Sequence, residues 1–97
     1  MSAIMMSQIK VTNPEIFQNY LEKSKTIASR YGAELMFRGK KQGVLNGQTG
    51  EHQMLVIARF PDMASIDAWS ADPEYQALIP LREEGSEQVM VTYDEAV

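Results

Sequence analysis

The chain has 97 residues, of which 44% are hydrophobic and 23% charged, as expected of a single globular domain spanning residues 1–97. Its net charge of −4 argues against binding to nucleic acid or to an anionic membrane surface, because both require clustered lysine and arginine. Cysteine is absent, which excludes disulfides and thiolate chemistry and is consistent with a cytoplasmic location. No apolar run could cross a bilayer, and no secretory signal is indicated.

The first part of the chain predicts a strand followed by a helix. Apolar side chains occupy both alternating faces of AIMMSQIKV, Ala3 to Val11, which is typical of a buried strand. In TNPE, a capping side chain precedes Pro14, which suits the first helical position. Apolar residues then recur at helical spacing as far as Tyr31, and Gly32 suits the end of that helix.

A β-hairpin is predicted next. The segments AELMFRGK (Ala33 to Lys40) and HQMLVIARF (His52 to Phe60) have the composition of strands. Between them, Asn46-Gly47 favours a tight turn. The preference for opposite charges across paired strands favours a register with Glu34 opposite Arg59.

That register assigns the other hairpin residues to faces. It places Met36 opposite Ile57 and Arg38 opposite Leu55. One face of the hairpin is then half-polar, with Glu34, Arg38, Gln53 and Arg59 among apolar residues. The other face is wholly apolar and contains Ala33, Leu35, Phe37, Val56, Ala58 and Phe60.

The last third of the chain predicts two helical segments and a strand. Asp62 can cap a helix that runs to Ser70. Asp72-Pro73 repeats the combination of cap and proline, and Pro80 must kink or divide the second segment because it lacks a backbone donor. Glu87 to Asp94 has the composition of a final strand.

The order β-α-β-β-α-β predicts an α+β, ferredoxin-like fold with an antiparallel sheet and both helices on one face. The first and third strands carry Ile4, Met6, Leu55 and Ile57 on the face that the helices would leave bare. Strands that are apolar on both faces should be covered on both. A second copy of the chain is the simplest cover, so we expect a homodimer.

Two segments resemble the uncharacterised bacterial proteins grouped as domain of unknown function 1330. These are YGAELMFRG after the first helix and VIARFPDMASIDAWSADPEYQALIPLRE, of which DPEYQALIPLR is the most specific part. The resemblance covers nearly the whole chain. It implies the homodimeric α+β barrel, in which two ferredoxin-like sheets face each other, and this agrees with the dimer expected from strand alternation.

The chain departs from that family's pattern at three positions. Ala33 replaces the second glycine, Arg59 stands where an acidic residue is common, and Ser70 replaces the tyrosine after Trp69. The family has no settled activity. Proteins with the same barrel include cofactor-independent monooxygenases, haem-degrading enzymes and muconolactone-type isomerases, and fold alone does not choose among them.

Arg38 is the first candidate ligand-binding residue. On a half-apolar face beside a dimer cavity it could hold a carboxylate by a bidentate contact. The alternative is an ion pair with Glu34 or with a carboxylate of the partner chain. Arg59 could help to orient a ligand, and Met36 would line the cavity with an adaptable side chain.

His52 and Trp69 complete the candidates. His52 has no cluster of metal ligands around it, so no metal site or other cofactor is indicated, and it is either a structural residue or a catalytic or haem-ligating one. Trp69 and the neighbouring Tyr75 either pack the helical segment onto the sheet or onto the partner, or form a lid over a site.

Three functions remain open from the sequence. The first is a homodimer that binds a small, partly apolar anion in its sheet-lined cavity. The second is a cofactor-independent monooxygenase or isomerase in which His52, Tyr93 or Arg38 assists proton transfer. The third is a non-catalytic interaction or stress-related dimer whose cavity is filled by side chains.

Overall fold

The computed structural model describes residues 2–95 as one antiparallel sheet with helices on one side. The expected domain of residues 1–97 extends beyond that range at both ends. Strands and helices follow the predicted order: β1 (Ala3–Val11), α1 (Pro14–Ser29), β2 (Glu34–Lys40), β3 (Met54–Phe60), α2 (Met63–Ala71), α3 (Pro73–Gln76), α4 (Ile79–Gly85) and β4 (Ser86–Asp94). The Cα atoms extend over 36 × 32 × 16 Å, the shape of a two-layer slab.

The long helix begins where the sequence predicts. The side chain of Asn13 accepts a hydrogen bond from the backbone N–H of Ile16 at 3.2 Å, and Pro14 occupies the first turn. The helix ends at Ser29, two residues before Tyr31, and the following turn closes at Gly32 with φ of 81°. Within residues 2–95, no helix combines the length and apolar character needed to span a membrane.

The second helical segment is divided into two helices, α3 and α4, which is one of the two outcomes that the sequence predicts for it. The side chain of Asp62 caps α2 by accepting from the N–H of Ser65 at 2.7 Å. Asp72 caps α3 in the same way, accepting from the N–H of Glu74 at 2.7 Å. A turn then separates α3 from α4, and Pro80 lies in the first turn of α4, where its missing N–H costs no helical hydrogen bond.

The sheet has the strand order β2-β3-β1-β4, so β1 and β3 are central. Alternate residues of β1 are buried beneath the helices, beginning with Ala3 and Met5. They share one core with Phe60 at the end of β3 and with Trp69 and Tyr75 of the helical layer. The helices therefore cover a single face of the sheet, as predicted.

The hairpin register is correct for only part of its length. Glu34 lies opposite Arg59, as predicted, but a β-bulge between Leu35 and Phe37 shifts the pairing that follows. Met36 is the inserted residue. A bulge sets two residues against one, and neither charge pairing nor strand composition signals it.

The bulge exchanges the faces of the residues that follow it. Phe37 now lies opposite Ile57, and Arg38 lies opposite Val56. The predicted pairs of Met36 with Ile57 and of Arg38 with Leu55 are wrong. Directly opposed residues project from the same face, so Phe37 moves to the bare face and Arg38 to the side where the helices lie.

The connection between β2 and β3 is longer than a tight hairpin turn. Gly47 has φ of 83° and provides the expected turn. The strands do not reach this turn, because β2 ends at Lys40 and β3 begins only at Met54. The predicted start of β3 at His52 is therefore two residues early. The loop of residues 41–53 is closed at its base, where the N–H of Lys41 donates to the carbonyl of Gln53 at 2.6 Å.

Candidate functional site

The side of the sheet away from the helices, which we call the open face, is apolar at its centre. Its middle row crosses all four strands and consists of Phe37, Ile57, Met6 and Val91. These residues are half-buried or exposed in the single chain, and Phe37 retains 51% of its surface. An apolar row of this width is typical of a surface that another molecule covers.

The two ends of the open face differ in chemistry. At one end a row runs from Glu34 through Arg59 and Ile4 to Tyr93. At the other end Gln8 lies between Leu55 and Val89, next to the base of the loop 41–53. One end is thus charged and open, and the other combines apolar side chains with the polar groups of a loop.

A groove of about 230 Å³ lies at the loop end of the open face, and we call it the loop groove. Phe37 and Leu55 provide its apolar surface. Its polar groups come from β1, from β2 and from both limbs of the loop: Gln8, Lys40, Lys41, Thr49, His52 and Gln53. The groove therefore combines apolar contact area with several N–H and O–H donors, the usual combination in a small-molecule site.

Glycine at position 39 lets Phe37 form one wall of the groove. The two residues share a face of β2, and the Phe37 ring lies directly over the Gly39 backbone, in the space where a Cβ atom would be. Any larger residue at position 39 would displace the ring. The bulge brings Phe37 to this face, and the glycine allows its ring to lie along the strand.

The loop holds its polar groups in place by short contacts. The ammonium group of Lys41 donates to the carbonyl of Gly50 at 2.7 Å, which fixes one limb against the other. The N–H of Gln53 donates to the carbonyl of Ile9 at 3.0 Å and attaches the loop to β1. His52 therefore lies in a segment that these hydrogen bonds hold in place, and its side chain is half-buried.

A larger groove of about 500 Å³ lies on the other side of the loop base. Lys10 and Glu51 form an ion pair of 2.9 Å at its rim. The hydrogen bond and charge of Glu51 raise the pKa of Lys10, and Lys10 lowers the pKa of Glu51 in the same way. Because these charges neutralise each other, this groove offers a charged ligand less attraction than the loop groove.

The structure separates the five predicted ligand-binding residues. Only His52 lines the loop groove. Arg59 lies on the open face, as predicted, but in the row at its opposite end. Arg38 is exposed on the helix side of the edge strand, and the alternative ion pair with Glu34 is also not formed, because the two residues occupy opposite faces.

The other two candidates also lie outside the loop groove. Met36 is the inserted residue of the bulge on the edge strand and does not oppose Ile57. Trp69 is 3% exposed and lies in the core, with its ring centroid 4.2 Å from that of Tyr75 and 5.7 Å from that of Phe60. The burial of Trp69 therefore agrees with packing of the helical segment onto the sheet.

The proton-transfer candidates are also dispersed. Tyr93 opposes Ile4 at the far end of the open face, whereas His52 precedes the strand that meets Ile9 at the loop end. Five residues along a strand span about 17 Å. The structure therefore places no second proton-transfer candidate beside His52. Within residues 2–95, no group of three or more histidine, aspartate or glutamate side chains could hold a metal ion.

Of the remaining groove residues, the sequence predicts Leu55 and Gln53 on the correct face. Strand alternation predicts Phe37 on the opposite face because it does not include the bulge, and no sequence pattern indicates a role for Lys41 or Thr49. One signal is present in the sequence. A glycine inside a strand, such as Gly39, often marks a place where another group packs closely against the backbone, and an aromatic residue two positions earlier, such as Phe37, lies on the same face. The loop residues carry no comparable signal.

Comparison with known proteins supports the fold. No curated protein matches the chain. The RPA0582 protein of unknown function from Rhodopseudomonas palustris has a TM-score of 0.80 at 17% identity, covering 99% of this chain and 83% of that chain. SnoaB, a cofactor-independent oxygenase from Streptomyces nogalater, has a TM-score of 0.71 at 11% identity, covering 99% and 94%.

A third solved structure has the same architecture. It is a dimeric ferredoxin-like protein of unknown function from Thermobifida fusca, with a TM-score of 0.61 at 13% identity, covering 98% of this chain and 92% of that chain. At these identities the likeness concerns the fold alone. The family model described as domain of unknown function (DUF1330) matches residues 2–96, and the chain therefore belongs to that family.

Proposed function

We propose that this protein is a homodimer that binds a small, partly apolar anion between two facing open faces, with the loop groove as the end that receives the negative charge. The observation that carries this proposal is the meeting of Phe37 and Leu55 with Lys41 and His52 in one groove. Apolar surface provides affinity, and a few convergent polar groups fix the orientation of the ligand.

The dimer follows from the open face. Its middle row presents apolar side chains from all four strands, and none of the helices and strands within residues 2–95 covers them. Two such sheets packed face to face would lie about 10 Å apart. The ferredoxin-like protein from Thermobifida fusca, which has the same fold, is described as dimeric.

The preference for an anion follows from the polar groups of the groove. Lys40 and Lys41 both line it, whereas the two acidic residues nearest to it in sequence, Glu34 and Glu51, do not. Lys41 keeps two of its three N–H donors when one is used on Gly50. A facing sheet would exclude water and strengthen the attraction between an ammonium group and a carboxylate.

A ligand panel tests the anion site. We expect aromatic and short aliphatic carboxylates to bind the wild-type protein in calorimetric titration, and their neutral amide analogues to bind at least about tenfold more weakly. Lys41→Met should reduce carboxylate affinity by a similar factor. Arg38→Met is the matched control, because it removes one positive charge from the nearby edge strand on the opposite face, and it should leave binding unchanged.

Two results would contradict the proposal. One is a panel in which no carboxylate binds, which would favour the non-catalytic interaction dimer. The other is an equal loss of affinity in Lys41→Met and Arg38→Met, which would show a general effect of charge. Sedimentation of the wild-type protein and of Ile57→Asp, which places a charge in the middle of the open face, tests the dimer separately.

A second candidate function is turnover of the bound molecule as a cofactor-independent oxygenase or an isomerase. It is favoured by one observation, the position of His52 in the loop groove, within reach of a bound ligand as a general base. SnoaB shares the fold and is described as a cofactor-independent oxygenase. Oxygen consumption or isomerisation of a panel member, lost in His52→Gln while binding is retained, would establish this function.

A further inference from the structure

The loop between β2 and β3 has an apolar tip that the single chain leaves in solvent. Leu45 is fully exposed, and Val44 retains about half of its surface. The hydrogen bonds of Lys41 to Gln53 and Gly50 hold the base of this loop together. Two adjacent apolar side chains at the tip of a braced loop are typical of a surface that contacts another molecule.

The loop that carries this tip is continuous with the open face through its return limb. The return limb of the loop contributes Thr49 and His52 to the loop groove, where they meet Gln8 and Leu55 of the sheet. A molecule that covers the open face at this end therefore also lies next to the loop. The surface available to a second copy includes the loop as well as the sheet.

The area of the open face gives an independent reason for including the loop. Four strands about 4.8 Å apart, on average eight residues long at about 3.3 Å per residue, present a footprint of roughly 500 Å². A stable interface covers about 800 Å² per partner. The twist of each sheet also moves the corners of two facing sheets apart, so a stable dimer needs contacts from outside the sheet.

We propose that the loop 41–53 is a dimerisation arm whose tip, Val44 and Leu45, packs against the second copy of the chain. This inference rests on the proposed homodimer and identifies how its interface is completed. Because the return limb of the same arm forms a wall of the loop groove, assembly of the dimer also fixes the position of Thr49 and His52. The arm thus connects dimerisation to ligand binding.

The test compares two serine substitutions in the same loop. Leu45→Ser removes the apolar tip, and Gln48→Ser is the matched control because it changes an exposed polar residue of the same arm. The dissociation constant of the dimer is measured by sedimentation over a dilution series. Leu45→Ser should raise it by roughly a hundredfold, since both arms of a homodimer lose a buried leucine, and Gln48→Ser should change it by less than about threefold.

Each result decides one question. If the wild-type protein dimerises and Leu45→Ser behaves like Gln48→Ser, the arm is wrong while the proposed homodimer stands, and the tip then serves another partner. If the wild-type protein is a monomer at all concentrations, the proposed homodimer is itself wrong. Loss of folding is not expected because Leu45 makes no core contact, and circular dichroism of the diluted variant checks this. If the variant is unfolded on dilution, Leu45 is needed for the fold of the single chain, and the proposal of a dimerisation arm is also wrong.

Discussion

Removal of the Tyr20 hydroxyl should change stability in a way that depends on Tyr75. The two hydroxyl oxygens lie 2.8 Å apart in the core, and one N–H of Arg82 donates to the Tyr75 oxygen at 3.1 Å. Burial is the main reason that the pKa of Tyr20 is raised well above its ordinary value. Tyr20 is therefore neutral at physiological pH, and the hydrogen bond between the two hydroxyl groups contributes to the stability of the helical layer.

The geometry fixes the expected magnitudes. In Tyr20→Phe the Tyr75 hydroxyl keeps its bond from Arg82, so the cost should be about 1 kcal/mol, that of one neutral hydrogen bond. Tyr75→Phe removes both bonds and leaves the buried Tyr20 hydroxyl without this partner, which should cost about 2–3 kcal/mol. In the Tyr75→Phe background, a further Tyr20→Phe should then be neutral or stabilising, because it removes a buried hydroxyl group that has lost its Tyr75 partner.

Denaturant unfolding of the four proteins, followed by circular dichroism at a single protein concentration, measures this double-mutant cycle. Both aromatic rings are retained in every variant, so the packing of Tyr75 against Trp69 at 4.2 Å should persist. An equal cost of Tyr20→Phe in both backgrounds would refute the reasoning. It would mean that the two hydroxyl groups do not depend on each other.

Other substitutions test the remaining contacts. Gly85→Ala should destabilise by about 1–3 kcal/mol in thermal unfolding, although alanine normally favours a helix, because its Cβ would lie 2.7 Å from the backbone of α1; a gain in stability would contradict this close approach. The hydrogen bond from the Tyr31 hydroxyl is the main reason that the pKa of Asp72 is lowered. Asp72→Asn should therefore destabilise the protein at neutral pH, and its difference in stability from wild type should shrink as the pH falls from about 4, where the unfolded carboxylate becomes protonated, through the lowered pKa of the folded carboxylate; a difference independent of pH would exclude this contribution. Gly39→Ala should displace the Phe37 ring and weaken ligand binding more than it changes stability, and unchanged affinity would show that this wall is not part of the site.

Much of the fold could be predicted because its signals are local. The Asn13 cap, Pro14 and the 3.6-residue period define α1, and the aspartates at positions 62 and 72 cap the next two helices. Each of these signals depends on a few neighbouring residues and on backbone hydrogen-bonding groups that must be satisfied. The alternation of apolar residues likewise identified β1 as central, before the strand order was known.

The site was predicted less well because it depends on a backbone irregularity. One inserted residue in β2 reversed the faces of Phe37 and Arg38, and the sequence contains nothing that marks Met36 as the extra residue. The length of the loop, which sets where Lys41 and Thr49 lie, was also hidden by a good turn signal at Gly47. His52 was correctly considered, but its neighbours come from distant parts of the chain.

The bulge in β2 has a consequence for comparisons within the family. Successive side chains of a strand point to opposite faces of the sheet. A relative with the same sequence in β2 but without the bulge would therefore place the arginine at position 38 on the open face, where this chain has the ring of Phe37. Two relatives could then align without a gap and still offer ligands opposite chemistry. Functional roles along this strand can be transferred only between proteins that share the irregularity.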